Sequence, residues 1–314
     1  MSVVERAIRK LQGSAPDKRD SRSATPIAKT VEDTTLADTV VADTTVSGSA
    51  PAARTGSFDG AASGRKISFD FTALAAAGLL APGNERLADE YRAIKQPILR
   101  RAAESLKGDT TIDRLVMVAS ALPGEGKTFT SVNLSLSLAQ EKDWSVLLID
   151  TDCRNPSLSQ LLGVADQPGL LDYLRSPTAS LESFVLPTNF DGLCILPAGT
   201  GDAHAAELLA SSRMQSICAD LATGKFGRFI VVFDSSPLLL TPEAAIIGAL
   251  VGQIAVVVRA DRTVRPAVAD ALAKLDPSKA IGLVLNGATS ADVLSGYANG
   301  YGGYGGYGAY RRAE

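Results

Sequence analysis

The chain has 314 residues, 46% of them hydrophobic and 21% charged, with a formal net charge of −3. That is apolar content enough for one core plus appendages, and too small a charge to announce a nucleic-acid or membrane-surface partner. Cys153, Cys194 and Cys218 are an odd number without a CxxC pair, which excludes a disulfide scaffold and suits a reducing cytosol, and the single histidine, His204, excludes multi-histidine metal sites.

Val3, Val4, Ala7, Ile8 and Leu11 recur at helical spacing opposite Glu5, Arg6, Arg9 and Lys10. Residues 1–12 are therefore expected to form a short amphipathic helix, either a plain terminal helix or a docking element. This start lacks the continuous apolar region of a signal peptide. Residues 13–84 are expected to be a mostly disordered linker. As far as about Lys66 they are rich in Ser, Thr, Ala, Asp and Gly, too poor in large apolar groups to offset the entropy of ordering. Ile67 to Leu80 is ambiguous, either a short strand or an apolar clip against the domain.

Residues 85–288 carry the regular pattern. A helix is expected from Leu87 to about Leu106, with Pro97 an awkward interior residue that leaves a kink or a division open. Strands are expected at Leu115–Ala119, Val146–Ile149, Cys194–Leu196, Phe229–Phe233, Ile254–Val258 and Ile281–Leu285. Helices are expected between them near Lys127–Glu141, Ala205–Ala222, Pro242–Leu250 and Val264–Leu275. Nearly continuous apolar strands alternating with helices imply an α/β fold, a doubly wound and mostly parallel sheet covered on both faces. The longest apolar stretch, Ile246 to Val258, is broken by Gly248, Gly252 and Gln253. It falls short of the roughly 20 residues of a spanning helix, so no direct membrane span is expected. Residues 289–314 are glycine-rich and hold Tyr297, Tyr301, Tyr304, Tyr307 and Tyr310, a composition that cannot keep a fixed fold.

Three strand ends carry chemistry. Leu115–Ala119 runs into Ala121-Leu-Pro-Gly-Glu-Gly-Lys-Thr128, a Walker A loop with alanine in place of its first glycine. In such a loop the amides at a helix N-terminus cradle phosphates, Lys127 reaches the β- and γ-phosphates, and the Thr128 hydroxyl binds Mg²⁺. The contacts expected along it are Gly124, Glu125, Gly126, Lys127, Thr128 and Phe129. The second end is Asp150-Thr-Asp152-Cys-Arg154, where an extended backbone would point both carboxylates to one face. The third is Asp234-Ser-Ser-Pro237, whose Asp234 reads as a Walker B carboxylate. Asp152 and Asp234 are expected to join Thr128 at the metal. Three acidic groups exceed what binding Mg–nucleotide requires, so one is free to act as a base.

Together these motifs resemble the bacterial tyrosine kinases, P-loop proteins of the deviant Walker (partition-ATPase-like) type. The tyrosine-rich end matches that family's tail, and Asp89-Glu-Tyr-Arg92-Ala-Ile-Lys95 is a counterpart, with two conservative changes, of its E-x-x-R-x-x-R oligomerisation motif. The resemblance implies an ATP- and Mg²⁺-dependent autokinase in which the five tail tyrosines are acceptors and Asp150 is the base, exchangeable with Asp152. Arg154 would bind phosphate or pair with a carboxylate. It also implies homo-oligomers through Asp89, Arg92 and Lys95, and a membrane-embedded activator of chain-length-determinant type. The chain itself would be cytoplasmic, recruited to the inner face of the membrane to control exopolysaccharide export. Ser2 to Leu11 further resembles the subgroup of exosortase-linked exopolysaccharide loci. The alternative is a nucleotide-switched scaffold of the partition-ATPase type without kinase activity. Against it, Leu122 stands where those ATPases carry their signature lysine. Tyr91 and Tyr173 read as packing residues, and His204 as the exposed start of a helix.

Overall fold

Each central strand sends alternate side chains to two separate cores, which is what places helices on both of its faces. Leu115, Met117 and Ala119 pack into one apolar cluster, while Val116 and Val118 pack into the other. The computed structural model describes residues 28–33, 65–79, 85–106 and 111–288. The expected amphipathic segment 1–12 and the glycine–tyrosine stretch 289–314, with all five tail tyrosines, lie outside the described residues.

In chain order the elements are β1 (Ala28–Asp33), β2 (Arg65–Phe69), α1 (Phe71–Ala76), α2 (Glu85–Ser105), β3 (Leu115–Ser120), α3 (Lys127–Ala139) and β4 (Ser145–Asp150). There follow α4 (Ser157–Leu161), α5 (Leu170–Arg175), β5 (Leu186–Pro187), β6 (Leu193–Leu196), α6 (Ala205–Leu209) and α7 (Ser212–Thr223). The last are β7 (Phe229–Asp234), α8 (Glu243–Leu250), β8 (Gln253–Arg259), α9 (Arg265–Ala273) and β9 (Ala280–Asn286). The main sheet has seven strands in the order β5-β6-β4-β7-β3-β8-β9. All its pairings are parallel except β5 with β6. One cluster holds residues of α5 to α9, and the other holds residues of α1 to α4 with β2. The fold is a doubly wound α/β domain, and the carboxyl ends of its parallel strands are where such a sheet takes its ligand.

Two expectations change. The stretch 13–84, expected to be mostly disordered linker, contains β1, β2 and α1. Ile67, Phe69, Leu74 and Leu79 are buried in the second core. Of the ambiguous stretch, residues 67–79 thus act both as strand and as apolar clip, and Leu80 lies outside the described residues. Asn189 laces them down, its Oδ1 accepting from the Phe69 amide at 2.8 Å and its own amide donating to Ile67 O at 3.0 Å. β1 pairs antiparallel with β2, whose edge satisfies its backbone without an apolar run to signal it. The helix expected over Ala205–Ala222 divides at Ser211, whose extended backbone and side chain cap α7 by accepting from the Met214 amide at 3.2 Å. Conversely, α2 continues through Pro97 as one helix. Among the described residues no helix is long and apolar enough to cross a membrane.

Candidate active site

The loop from β3 to α3 owes its shape to two glycines in left-handed backbone, Gly124 at φ 75° and Gly126 at φ 96°. Gly126 has a second reason to lack a side chain, because a Cβ there would run into the Asn286 amide. Asn286, the last residue of β9, donates from Nδ2 to Glu125 O at 2.9 Å. The Glu125 carboxylate turns inward, accepting from the Leu122 amide at 2.8 Å and from the Thr263 hydroxyl. Glu125, expected among the nucleotide contacts, is therefore 3% exposed and braces the loop. The amides at the start of α3 have no partners within the helix, as at any helix N-terminus.

Lys127 and Thr128 open α3 beside two acidic strand ends. Lys127 Nζ lies 3.3 Å from Asp152 Oδ2. The Thr128 hydroxyl donates to Asp234 Oδ2 at 2.8 Å, and the Ser131 hydroxyl to Asp234 Oδ1 at 2.9 Å. Ser131 follows Thr128 by three residues and so shares its helix face, the signal that could have singled it out. Asp234 is completely buried, and burial pushes its carboxyl up although the Lys127 charge and the two hydroxyls pull the other way.

The two aspartates of the D-x-D run part company, which corrects the single-face expectation. β4 ends at Asp150, the backbone turns, and Asp152 lies in the loop beyond. Asp150 is 0% exposed and faces Asp234 across paired strands. Its Oδ2 accepts from the Ser159 amide at 2.8 Å and the Ser159 hydroxyl at 2.7 Å, and its Oδ1 from the Asp152 amide at 3.1 Å. Burial, with the Asp234 charge second, pushes its carboxyl well above the usual carboxylate range. Burial also raises Asp152, against the pull of Lys127.

A cavity of about 400 Å³ opens at this point. Its lining comes from three stretches of chain: Gly124, Gly126, Lys127, Thr128 and Phe129 from the loop and the start of α3, Asp152, Arg154 and Asn155 from beyond β4, and Pro237, Leu240 and Thr241 from beyond β7. Asp150 and Asp234 stand behind this wall and are not among its lining residues. Of the two roles left open for Arg154, the structure shows the carboxylate pairing. It lines the cavity, and its Nε donates to the Glu243 carboxylate at 2.9 Å. Glu243, at the start of α8, is buried beside the site and was not foreseen.

The three charged positions of the oligomerisation counterpart do not share one exposed surface. Asp89 and Arg92 are exposed and pair with each other on α2. Lys95 is buried, donating to Ser137 O at 2.8 Å and pairing with Glu141 at 2.8 Å, so its charge is met within its own chain. Tyr91 is also buried there, and burial pushes its hydroxyl up to about 12. Tyr173 packs edge-on to Phe184 beneath the Arg213 guanidinium, and His204 is exposed at the start of α6.

A family model, ParA, described as NUBPL iron-transfer P-loop NTPase, matches residues 111–204. The chain is 32% identical to tyrosine-protein kinase YwqD of Bacillus subtilis (strain 168) over 174 residues, which are 55% of this chain and 71% of that one. It is 32% identical to tyrosine-protein kinase ptk of Acinetobacter johnsonii over 151 residues, 48% of this chain but a fifth (20%) of that relative's length. Among solved structures, the VpsO kinase domain is 34% identical with a TM-score of 0.54, covering 65% of this chain and 97% of that domain. The kinase domain of Escherichia coli tyrosine kinase ETK is 25% identical with a TM-score of 0.56, covering 71% and 83%. A phosphate loop braced from β9, a Walker B pair of hydroxyl and carboxylate, and a split D-x-D run thus stand on a sheet shared with these kinase domains, and the chain belongs to the bacterial tyrosine-protein kinase family.

Proposed function

We propose that the chain is an ATP-dependent protein-tyrosine autokinase whose acceptors are Tyr297, Tyr301, Tyr304, Tyr307 and Tyr310. The observation that carries this reading is the convergence of Lys127, Thr128 and Asp152 on one cavity, with Asp234 directly behind it. Lys127 and the amides from Gly124 to Thr128 hold the phosphates, with Phe129 on the cavity wall. The hard oxygens of Thr128 and Asp234, 2.8 Å apart, suit Mg²⁺ and would hold it. When bound, that ion offsets the negative charge of the phosphate oxygens.

In the reaction the tyrosine oxygen bonds to the γ-phosphorus, the bond from that phosphorus to the β-bridging oxygen breaks, and ADP leaves. A tyrosine hydroxyl titrates near 10, so it needs an acceptor for its proton as it attacks. Asp152 is assigned that role, because of the two D-x-D carboxylates it is the one that lines the cavity. Asp150, expected as base and its exchange with Asp152 left open, positions the Asp152 amide and Ser159 instead.

The same reading keeps homo-oligomers, now through the exposed Asp89 and Arg92 without Lys95. It also keeps the membrane-embedded chain-length-determinant-type activator and the control of exopolysaccharide export. The test is to incubate the full chain with Mg–ATP, with and without the activator's cytoplasmic segment, beside a Lys127→Met control, and to map phosphate by mass spectrometry. Phosphate on Tyr297 to Tyr310 that disappears in the control is expected. ATP hydrolysis with a bare tail under both conditions would make the chain a nucleotide switch.

A further inference from the structure

The cavity wall carries an ion pair that the reaction above does not use. Arg154 keeps 66% of its side chain exposed, yet its Nε is held at 2.9 Å by Oε1 of Glu243, whose side chain is 2% exposed. The other carboxylate oxygen, Glu243 Oε2, is buried and has no hydrogen-bond partner among the described residues. Burying a carboxylate with half its acceptor capacity unused is unfavourable. A favourable charge at the start of α8 could be had from an exposed side chain at no such cost. What the burial does secure is the aim of one guanidinium. Gripped at Nε, Arg154 leaves both terminal nitrogens without a protein partner among the described residues, in a cavity that Asp152, Lys127 and Thr128 also line. Two parallel N–H groups are the geometry that takes two phosphate oxygens at once.

We propose that Glu243 is a positioning residue for phosphoryl transfer, holding Arg154 by Nε so that its two terminal nitrogens meet the oxygens of the phosphoryl group in flight. This rests on the kinase reading. The pair is neutral overall, so it adds little attraction for ATP at rest. Its contribution comes when charge spreads over the equatorial oxygens and the fork is already in place. Glu243 also sets a fourth carboxylate near the phosphates, beside Asp150, Asp152 and Asp234. Removing its charge should therefore leave ATP binding equal or tighter even as transfer slows, and a general loss of structure would not move the two in opposite directions.

The experiment uses the full chain. It measures the single-turnover rate of tail phosphorylation at saturating Mg–ATP and the Kd of a fluorescent ATP analogue, for wild type, Glu243→Gln, Arg154→Ala and the double variant. Expected are a rate loss of about 10- to 100-fold in Glu243→Gln, with the nucleotide Kd unchanged or lower. Arg154→Ala should lose about 100-fold or more, and adding Glu243→Gln to it should cost nothing further. A Glu243→Gln chain that phosphorylates at the wild-type rate overturns the inference. So does one that loses rate by the same factor with and without Arg154, or whose nucleotide Kd rises in step with the lost rate. Absence of Lys127-dependent phosphorylation in wild type would overturn the kinase reading itself, an outcome distinct from these.

Discussion

Asp150 and Asp152 are neighbours but one in the chain and have different surroundings. Asp150 is wholly buried with three donors on its carboxylate, while Asp152 lies on the cavity wall next to the Lys127 ammonium. A base must reach the proton that it takes, so geometry ranks Asp152 first even though burial raises both groups. Asp152→Asn should slow tail phosphorylation by about 10² to 10⁴, with nucleotide affinity changed only a few-fold. Asp150→Asn should cost about tenfold, through a loosened Asp152 amide and Ser159. Single-turnover rates on the two variants decide the matter, and the reverse order of losses returns the base to Asp150. At this scale the lysine, the threonine and the Walker B aspartate were legible in the sequence, because the loop and the strand ends that carry them are local features. Glu243, Thr263 and Asn286 were not, since each acts on the site from a distant part of the chain.

Among the elements, α5 shows how a short helix is held where its sequence gives it little help. Asp172 Oδ2 accepts from the Gly169 amide and from the Thr200 amide, both at 2.9 Å, tying the start of α5 to the loop after β6. Burial pulls this carboxyl up, but the two amide donors, the Thr200 side chain and the Arg175 charge together outweigh it and hold it below the usual carboxylate value. The depressed group stabilises the fold while ionised, so its contribution is present above about pH 4 and is lost as pH falls through the lowered value. Asp172→Ala should cost about 1–2 kcal/mol at pH 7. Thermal melts of variant and wild type should converge as the pH is lowered through the titration of this carboxyl, and a gap that stays constant on acidification would show that ionisation is not involved. The division between α6 and α7 belongs to this scale too. The stretch reads as one helix, and the capping bond at Ser211 divides it there. Lys95 shows the opposite case, a charge at an exposed-looking motif position that α2 packing turns toward Ser137 and Glu141.

Over the whole molecule, the described domain begins earlier than composition suggests. Leu74, in the stretch left open between strand and apolar clip and inside the expected linker bounds, is 0% exposed in the same core as Val116 and Val118. Leu74→Ala should therefore destabilise the chain by about 2–4 kcal/mol in urea melts, the cost of a buried leucine rather than of a linker residue. No change in the midpoint would remove 65–79 from the core. The sequence by itself determined the alternation of strands and helices, the parallel sheet and the phosphate loop. Periodicity, turn residues and backbone preference act among residues close in the chain. Tertiary structure alone decided which aspartate lines the cavity, what Lys95 touches, that 67–79 is strand and clip at once, and that Arg154 meets Glu243 across 89 positions. Each of these depends on contacts between segments brought together by burial, and no local pattern records which segments will meet.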